Sequence, residues 1–332
     1  MNDNKNNRVE KKETFIVVEN ENQNIFYSKL YRLYTTLMFI STNLLFKILN
    51  NNYNLYYMYH CSTLRYGFMF IFCIIYNYYI NKYNNNKNIS FIDKTMKFKG
   101  KFNLVLSRVF VVNLNMILFT LSLKYLKLGI AVTLNMTTAI IQNILTPLIL
   151  KEKFNKKYAY ICLISFIGVI LLCLNKSSNS SKDFKTFDYN LFIGIIIGIL
   201  NAICVALVYI LTKQLQKDYT TNDLNIITSF WIFVFLFFYS ISIYNKYNFL
   251  FFDTFFVVIS IIIGFFTFLA FYFMGLSVKY GDISKTSYIT YLQLPILFLI
   301  GVLFFSEHYS MLEFLGSFII FGCVYYAFYY IK

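Results

Sequence analysis

The sequence predicts an all-α integral membrane protein, with ten transmembrane helices arranged as two inverted five-helix repeats. Three observations predict this fold class. Hydrophobic residues make up 58% of the 332 residues, which is more apolar surface than one soluble core of this length can bury. The apolar residues fall into ten separate runs, and a short motif in the first half of the chain returns in the second half.

The ten apolar runs are each close to the roughly 20 residues that a helix needs to cross a bilayer. A polar segment of mixed charge, residues 1–29, precedes them and shows no secretory signal peptide, so we expect it to form a disordered cytosolic tail. We interpret the runs as helices one to ten, which cover residues 31–49, 61–80, 103–122, 129–150, 158–174, 191–212, 224–243, 251–276, 284–305 and 312–330.

The repeated motif sets the relation between the two halves. Residues 121–125 read Leu-Ser-Leu-Lys-Tyr and residues 276–280 read Leu-Ser-Val-Lys-Tyr, which is an offset of 155 positions. The same offset joins Glu152 to Glu307. Five helices in each half is an odd number, so the second half enters the membrane from the opposite side and the repeats are inverted.

Four segments follow from this division of the chain. Residues 1–29 are the tail, 30–175 the first five-helix repeat, 176–190 a connecting loop, and 191–332 the second repeat. A binding site between such repeats is expected near the middle of the membrane.

The basic residues predict the orientation. With the amino terminus inside, the inner side receives Arg32 and the lysines and arginines of the tail. It also receives those of the loops after helices two and four. Far fewer fall on the outer side, so the positive-inside rule places both termini in the cytosol. The net charge of +15 is therefore a topology signal, and we expect membrane lipid and a small-molecule substrate as partners but no nucleic acid. A homodimer is compatible with the sequence.

Polar residues inside predicted helices are costly in lipid and point to function. Helix four carries a stripe spaced by three and four residues, and helix nine carries a second stripe at the equivalent positions in the repeat. The two stripes are Asn135, Thr138, Gln142 and Thr146, and Thr286, Thr290 and Gln293. They are predicted to line a shared substrate cavity; the alternative is that they join helices by hydrogen bonds.

Lys47, Arg65 and Arg108 are basic residues in or near the apolar runs. Lys47 and Arg65 lie toward the outer ends of helices one and two, so their side chains are expected to reach the headgroups. Arg108 shares a face of helix three with Asn115, and it either binds an anionic substrate group or ties helix three to a neighbour. The candidate substrate-binding residues are Arg108, Asn115, Asn135, Thr138, Gln142, Thr286, Thr290 and Gln293.

Other residue types carry less information. The six cysteines lie in or beside apolar runs without a C-x-x-C pair, so we predict no metal, cofactor or catalytic residue. Pro147 and Pro295 are the only prolines, and each is expected to bend its helix. No acidic residue falls near the middle of a predicted helix, which favours facilitated diffusion or exchange over proton coupling.

At the repeated motif the sequence resembles the drug/metabolite transporter superfamily, and within it the EamA-like members. The resemblance rests on Leu-x-x-Lys-Tyr followed by a helix that ends before a Glu, in both halves. A fifth helix with a glycine follows in each half, with Gly168 in the first and Gly316 or Gly322 in the second. The excess of Asn, Lys, Ile, Tyr and Phe also resembles proteins of AT-rich genomes such as those of malaria parasites.

The resemblance implies a carrier whose helices three, four, eight and nine border a central cavity that opens alternately to either side. Phosphate-exchanging plastid members carry a Lys-Arg pair in helix nine, and residues 287–291 here contain no basic residue. A sugar-phosphate carrier is therefore disfavoured. The first half also lacks the usual proline near Ile140.

Two other classes stay open beside the transporter. A membrane-embedded transferase would need a general base or metal carboxylates at the membrane face, and no H-x-x-x-D or D-x-D pattern is present. In a non-transporting scaffold, the polar stripes would be structural only. The sequence does not choose a substrate or a membrane, which leaves the plasma membrane, the secretory pathway or a plastid envelope.

Overall fold

The computed structural model describes residues 3–52, 55–83, 101–125, 131, 134–151, 156–174, 189–244, 253–305 and 311–330. Every regular element within these ranges is a helix, and each overlaps one of the predicted apolar runs. The elements are α1 (Asp3–Asn52), α2 (Leu55–Tyr83), α3 (Phe102–Tyr125), α4 (Thr138–Leu150), α5 (Lys156–Leu174), α6 (Tyr189–Leu215), α7 (Thr221–Tyr244), α8 (Thr254–Tyr280), α9 (Ile283–Thr286), a 3-10 segment (Ser287–Leu292), α10 (Gln293–Phe305) and α11 (Met311–Tyr329).

Helices of this kind suit a bilayer because a helix satisfies all of its interior backbone groups without water. Within the described residues, four helices are long and apolar enough to cross a membrane by length and composition; they lie in α3, α6, α7 and α8. Large apolar side chains also cover the outside of the bundle, and Leu148, Leu303 and Phe318 are 71%, 74% and 79% exposed. Such an apolar exterior is expected of a protein surrounded by lipid.

The helices pack in pairs around the centre of the bundle. α1 lies along α8, α3 along α6, and α5 along α11, while α2 contacts both α7 and α8. One apolar core joins α5, the 3-10 segment and α11. A second joins α2, α6, α7 and α8. These pairings bring one end of α4 and the 3-10 segment toward the middle of the molecule.

The start of α1 differs from the predicted tail. Residues 1–29 are predicted to be disordered, yet α1 begins at Asp3 and its later turns pack on the bundle. Ser28 donates a hydrogen bond of 2.7 Å to the carbonyl of Ser277, and Lys29 donates to the carbonyl of Ala327 at 3.1 Å. Both carbonyls belong to the last turns of helices, where they lack partners within the helix. These polar contacts hold α1 against the bundle just before the apolar run begins.

The ninth apolar run is not one regular helix. It divides into α9, the 3-10 segment and α10, and Pro295 falls in the first turn of α10, where its missing amide is tolerated. Helix four is also interrupted, but at Thr137, where a turn separates residues 134–136 from α4. The Thr137 hydroxyl donates to the carbonyl of Leu134 at 2.7 Å, which competes with a regular helix at that point. Pro147 lies inside α4, which continues past it to Leu150.

Glycines bring α5 and α11 into close contact. A Cβ atom on Gly168 would lie 2.8 Å from the carbonyl oxygen of Gly316, so the two backbones touch directly. Small residues at such positions are typical of helix packing in membranes. Gly322 has open space around it, so Gly316 is the glycine of the second half that faces Gly168.

Candidate functional site

A cavity of about 120 Å³ lies at the centre of the bundle. The family resemblance implies that the predicted helices three, four, eight and nine border the cavity, and residues of all four runs line it. Residues of α1, α2 and α6 line it as well. The polar side chains that line it are Arg32, Thr42, Asn43, Arg65, Asn115, Asn135, Thr138, Asn201, Thr290 and Gln293. Apolar and aromatic residues fill the remaining wall, among them Phe39, Phe46, Phe119, Tyr209, Phe271 and Met274. A mostly apolar cavity with a few convergent polar groups is typical of a small-molecule site.

Arg32 lies on the cavity wall and is only 1% exposed. Its Nη2 donates to Gln142 Oε1 at 2.9 Å and to Thr290 Oγ1 at 3.0 Å. Its guanidinium carbon lies 3.9 Å from the centre of the Tyr209 ring, a distance suited to a cation–π contact. The Nη1 atom is buried without a hydrogen-bond partner among the described residues.

Arg65 lies on the wall of the same cavity and is 5% exposed. Its Nε donates to Thr267 Oγ1 in the middle of α8 at 2.7 Å, and its guanidinium carbon lies 5.4 Å from the centre of the Phe46 ring. The prediction that Arg65 reaches the headgroups is therefore wrong. The side chain turns inward because Thr267 and two aromatic faces can hold it there. The side chain of Lys47, for which the same was predicted, lies outside the described residues.

Two asparagines connect α3 to α6 at the cavity. Asn115 Nδ2 donates to Asn201 Oδ1 at 2.7 Å, and Asn201 is 1% exposed. Nearby, the Thr138 hydroxyl lies 2.5 Å from the carbonyl of Asn135 and 3.3 Å from that of Ala202 on α6. Some of the polar lining thus joins helices as well as bordering the cavity.

The structure brings together five of the eight predicted site residues. The five residues that line the cavity are Asn115, Asn135, Thr138, Thr290 and Gln293. Gln142 lies behind the wall, where it accepts the hydrogen bond from Arg32. Thr286 does not line the cavity, and its hydroxyl bonds to carbonyls of its own turn, at Asp282 and Ile283.

Arg108 is also absent from the cavity wall. Its Nε donates to Thr212 Oγ1 of α6 at 3.1 Å, and its Nη1 donates to the carbonyl of Leu224 on α7 at 3.1 Å. The same Nη1 also contacts the Thr228 hydroxyl. These contacts tie α3 to two neighbouring helices, so the structure favours the second reading of Arg108 over a substrate ligand.

Five polar residues of the wall are not among the predicted site residues: Arg32, Thr42, Asn43, Arg65 and Asn201. Arg32 is the second residue of the first apolar run, and this position places it with the cytosolic basic residues in the sequence. Asn201 lies near the middle of the sixth run, and that position was the signal that could have identified it. Arg65 is the fifth residue of the second run. So close to the end of a run, the sequence does not distinguish a side chain that extends to the headgroups from one that turns into the bundle.

Comparisons with known proteins agree with this fold. Residues 192–329 match the EamA-like transporter family. No curated protein matches the chain. A solved structure titled "Crystal structure of protein" is similar to it with a TM-score of 0.70 and 10% sequence identity, over 90% of this chain and 94% of that chain. At that identity the likeness shows the fold alone. The second half of this multi-pass membrane protein therefore carries an EamA-like transporter family domain.

Proposed function

We propose that this protein is a secondary transporter, a facilitator or exchanger that moves a small polar metabolite across a membrane by alternating access. The observation that carries the proposal is the central cavity. Both halves of the chain contribute polar side chains to its wall. Polar groups enclosed among membrane helices commonly mark a substrate path. The EamA-like domain of the second half supports the same function.

The packing of the helices supports two inverted repeats of five helices. In that arrangement α1 and α6 are the first helices of the halves, and α3 and α8 are the third. α1 packs along α8, and α3 packs along α6, which is the same contact with the halves exchanged. The second helices, α2 and α7, contact each other, and so do the fifth, α5 and α11. A pseudo-twofold axis in the membrane plane would produce this pattern.

The two interrupted helices support the same relation. At an offset of 155 positions, the 3-10 segment Ser287–Leu292 corresponds to residues 132–137, which end at the turn of Thr137. Both interruptions border the cavity through Thr290 and Asn135. Broken helices at equivalent places in the two halves are typical of transporter binding sites.

Contacts near the chain ends support placing both termini on one side of the membrane. Lys29 of α1 donates to the carbonyls of Ala327 and Phe328 in the last turn of α11. Lys213 of α6 reaches Asp282, just after α8, at 3.3 Å. By the positive-inside rule, we assign this side to the cytosol.

Counterflow into proteoliposomes tests the function. The vesicles are preloaded with a panel of anionic, zwitterionic and cationic metabolites, and uptake of the labelled compounds is measured. We expect at least one compound to exchange. Val205→Trp, which fills the cavity from α6, should abolish that exchange, whereas Ile199→Trp, on the exposed face of the same helix, should preserve it.

Two results would count against a transporter that uses this cavity. One is a folded, monodisperse protein that exchanges no compound of the panel, which would favour a scaffold. The other is an exchange that Val205→Trp and Ile199→Trp leave equally unchanged, which would place the substrate path elsewhere.

A further inference from the structure

We propose that the cavity binds an anionic compound, whose carboxylate or phosphate group is bound by one of the two arginines of the wall, Arg32 or Arg65. The inference rests on the proposed function, because it assigns a charge class to the substrate of that transporter. It starts from the two guanidinium groups that share one cavity.

The charge of the cavity is not balanced by the residues around it. Arg32 and Arg65 both line it, and no Asp or Glu is among the described residues of its wall. The groups that hold the two arginines are neutral: Gln142 and Thr290 for Arg32, and Thr267 for Arg65. A buried charge is costly unless it is paired. A bound anion would supply the missing opposite charge.

Arg32 keeps hydrogen-bonding capacity for such an anion. Nε and Nη2 both contact Thr290, and Nη2 also bonds to Gln142, which fixes the plane of the guanidinium group. The Tyr209 ring supports that plane from one face. Nη1 is left without a hydrogen bond in the described part of the chain. A planar guanidinium group held in this way is well suited to a carboxylate or phosphate.

Arg65 is held by one nitrogen only. Its Nε donates to Thr267, and its two terminal nitrogens form no hydrogen bond with a described residue. The aromatic rings of Phe46 and Tyr66 lie 5.4 Å and 5.3 Å from its guanidinium carbon. Aromatic faces stabilise a cation but leave its N–H groups unbonded. These N–H groups are therefore available to a ligand in the cavity.

The two arginines enter the cavity from different levels of the bundle. Arg32 and Phe46 are both in α1, and 14 residues of helix separate them by about 21 Å along its axis. Arg65 packs on Phe46, so the arginines approach the cavity from opposite ends of this stretch. The amides of Asn115, Asn135 and Gln293 line the same cavity, where they can bind the uncharged polar groups of a metabolite.

Ligand-induced stabilisation of the purified protein tests the anion site directly, without requiring transport. Thermal unfolding in detergent is followed with inorganic phosphate, with malonate and with chloride at matched ionic strength. We expect phosphate or malonate to raise the Tm in a concentration-dependent manner, because a ligand that binds the folded state stabilises it. Comparing the two probes distinguishes a phosphate site from a carboxylate site.

Variants then assign the effect to the two arginines. At least one of Arg32→Gln and Arg65→Gln should weaken the apparent affinity for the effective probe about 10-fold or more, since removing the arginine that binds the anion removes a charge-assisted hydrogen bond. Where Arg65 is that residue, Arg65→Lys, which keeps the charge, should recover part of the affinity. Lys29→Gln is the matched control, because it removes a positive charge from α1 outside the cavity wall and should leave the affinity unchanged.

The proposal is overturned if neither probe stabilises the folded wild-type protein beyond chloride, or if both arginine variants keep the wild-type affinity. Counterflow separates this failure from that of the proposed function. Exchange of a neutral or cationic compound that Arg32→Gln and Arg65→Gln do not alter would uphold the transporter and reject the anion site. Stabilisation by an oxyanion without any exchange would uphold the site and reject the transporter.

Discussion

Arg32 and Arg108 are each 1% exposed inside the helical bundle, but only one of them borders the cavity. Arg108 bonds to a backbone carbonyl and two threonine hydroxyls on α6 and α7, away from the cavity. Arg32 bonds to side chains of α4 and the 3-10 segment and borders the cavity. A buried arginine in a membrane protein is therefore not by itself a ligand. Its role depends on whether it faces a space that a substrate can enter.

The largest effect is expected at Arg108. Arg108→Gln removes hydrogen bonds from a charged group to Thr212, Thr228 and the carbonyl of Leu224, each of which contributes about 1.5–3 kcal/mol. We expect the stability to fall by about 2 kcal/mol or more, measured by unfolding in detergent. Exchange per folded molecule should keep the wild-type KM. A raised KM in a variant of normal stability would contradict the structural role of Arg108 and remove the contrast with Arg32.

A pair of threonines in the ninth run tests how Arg32 is held. Thr290→Val removes a hydroxyl that accepts from Arg32 at 3.0 Å, so the guanidinium group loses a partner that orients it. We expect KM for the exchanged substrate to rise about 3- to 10-fold. Thr286→Val is the control, because its hydroxyl bonds only within its own turn and its KM should stay within about twofold of wild type. Equal effects of the two changes would mean that Thr290 does not act through Arg32.

A glycine contact outside the cavity wall shows what a purely structural defect does. Gly168→Ala places a Cβ atom 2.8 Å from the carbonyl oxygen of Gly316, so α5 and α11 must separate. We expect a loss of about 1–3 kcal/mol in stability with an unchanged KM. Gly322→Ala meets nothing within 4 Å and should change stability by less than about 0.5 kcal/mol. If the two alanine variants were equally stable, the close packing of α5 and α11 would be refuted.

The smallest effect is expected from a charge cluster at the end of α8. Burial acts to raise the pKa of Asp282, but the hydrogen bond from Lys285 at 2.8 Å and the charges of Lys213 and Lys285 outweigh it, so its pKa lies below the usual value. A carboxyl group whose pKa is lower in the folded than in the unfolded protein stabilises the folded state at pH values above the ordinary Asp pKa of about 3.9. That contribution is lost as the pH falls through the lowered value.

Thermal unfolding at several pH values measures this contribution. We expect the wild type to lose its stability advantage over Asp282→Asn as the pH falls below about 4. The difference should be small and should shrink with added salt, because the Asp282 side chain is 39% exposed. A difference between the two proteins that stays constant from neutral to acidic pH would show that Asp282 does not contribute through its charge.

Much of the site follows from the sequence because polar residues stand out in apolar runs. The stripes of helices four and nine supplied Asn135, Thr138, Thr290 and Gln293, and all four border the cavity. The same reasoning chose Thr286, which lies only one helical turn from Thr290 yet bonds within its own turn. The 3-10 segment changes the direction of successive side chains, so an ideal helical spacing no longer predicts which of them face inward.

By itself, the sequence determined the helices, because an apolar segment of about 20 residues crosses a bilayer as a helix that satisfies its own backbone groups. It also determined the offset that relates the two halves. The tertiary structure decided which arginine faces the cavity. Arg32, Arg65 and Arg108 each lie within a few residues of the end of an apolar run, and a side chain at that position can extend to the headgroups, to a neighbouring helix or to an internal space. The direction is set only by the residues that fold around each arginine. They are Thr290 and Gln142 for Arg32, Thr267 for Arg65, and Thr212 and Leu224 for Arg108.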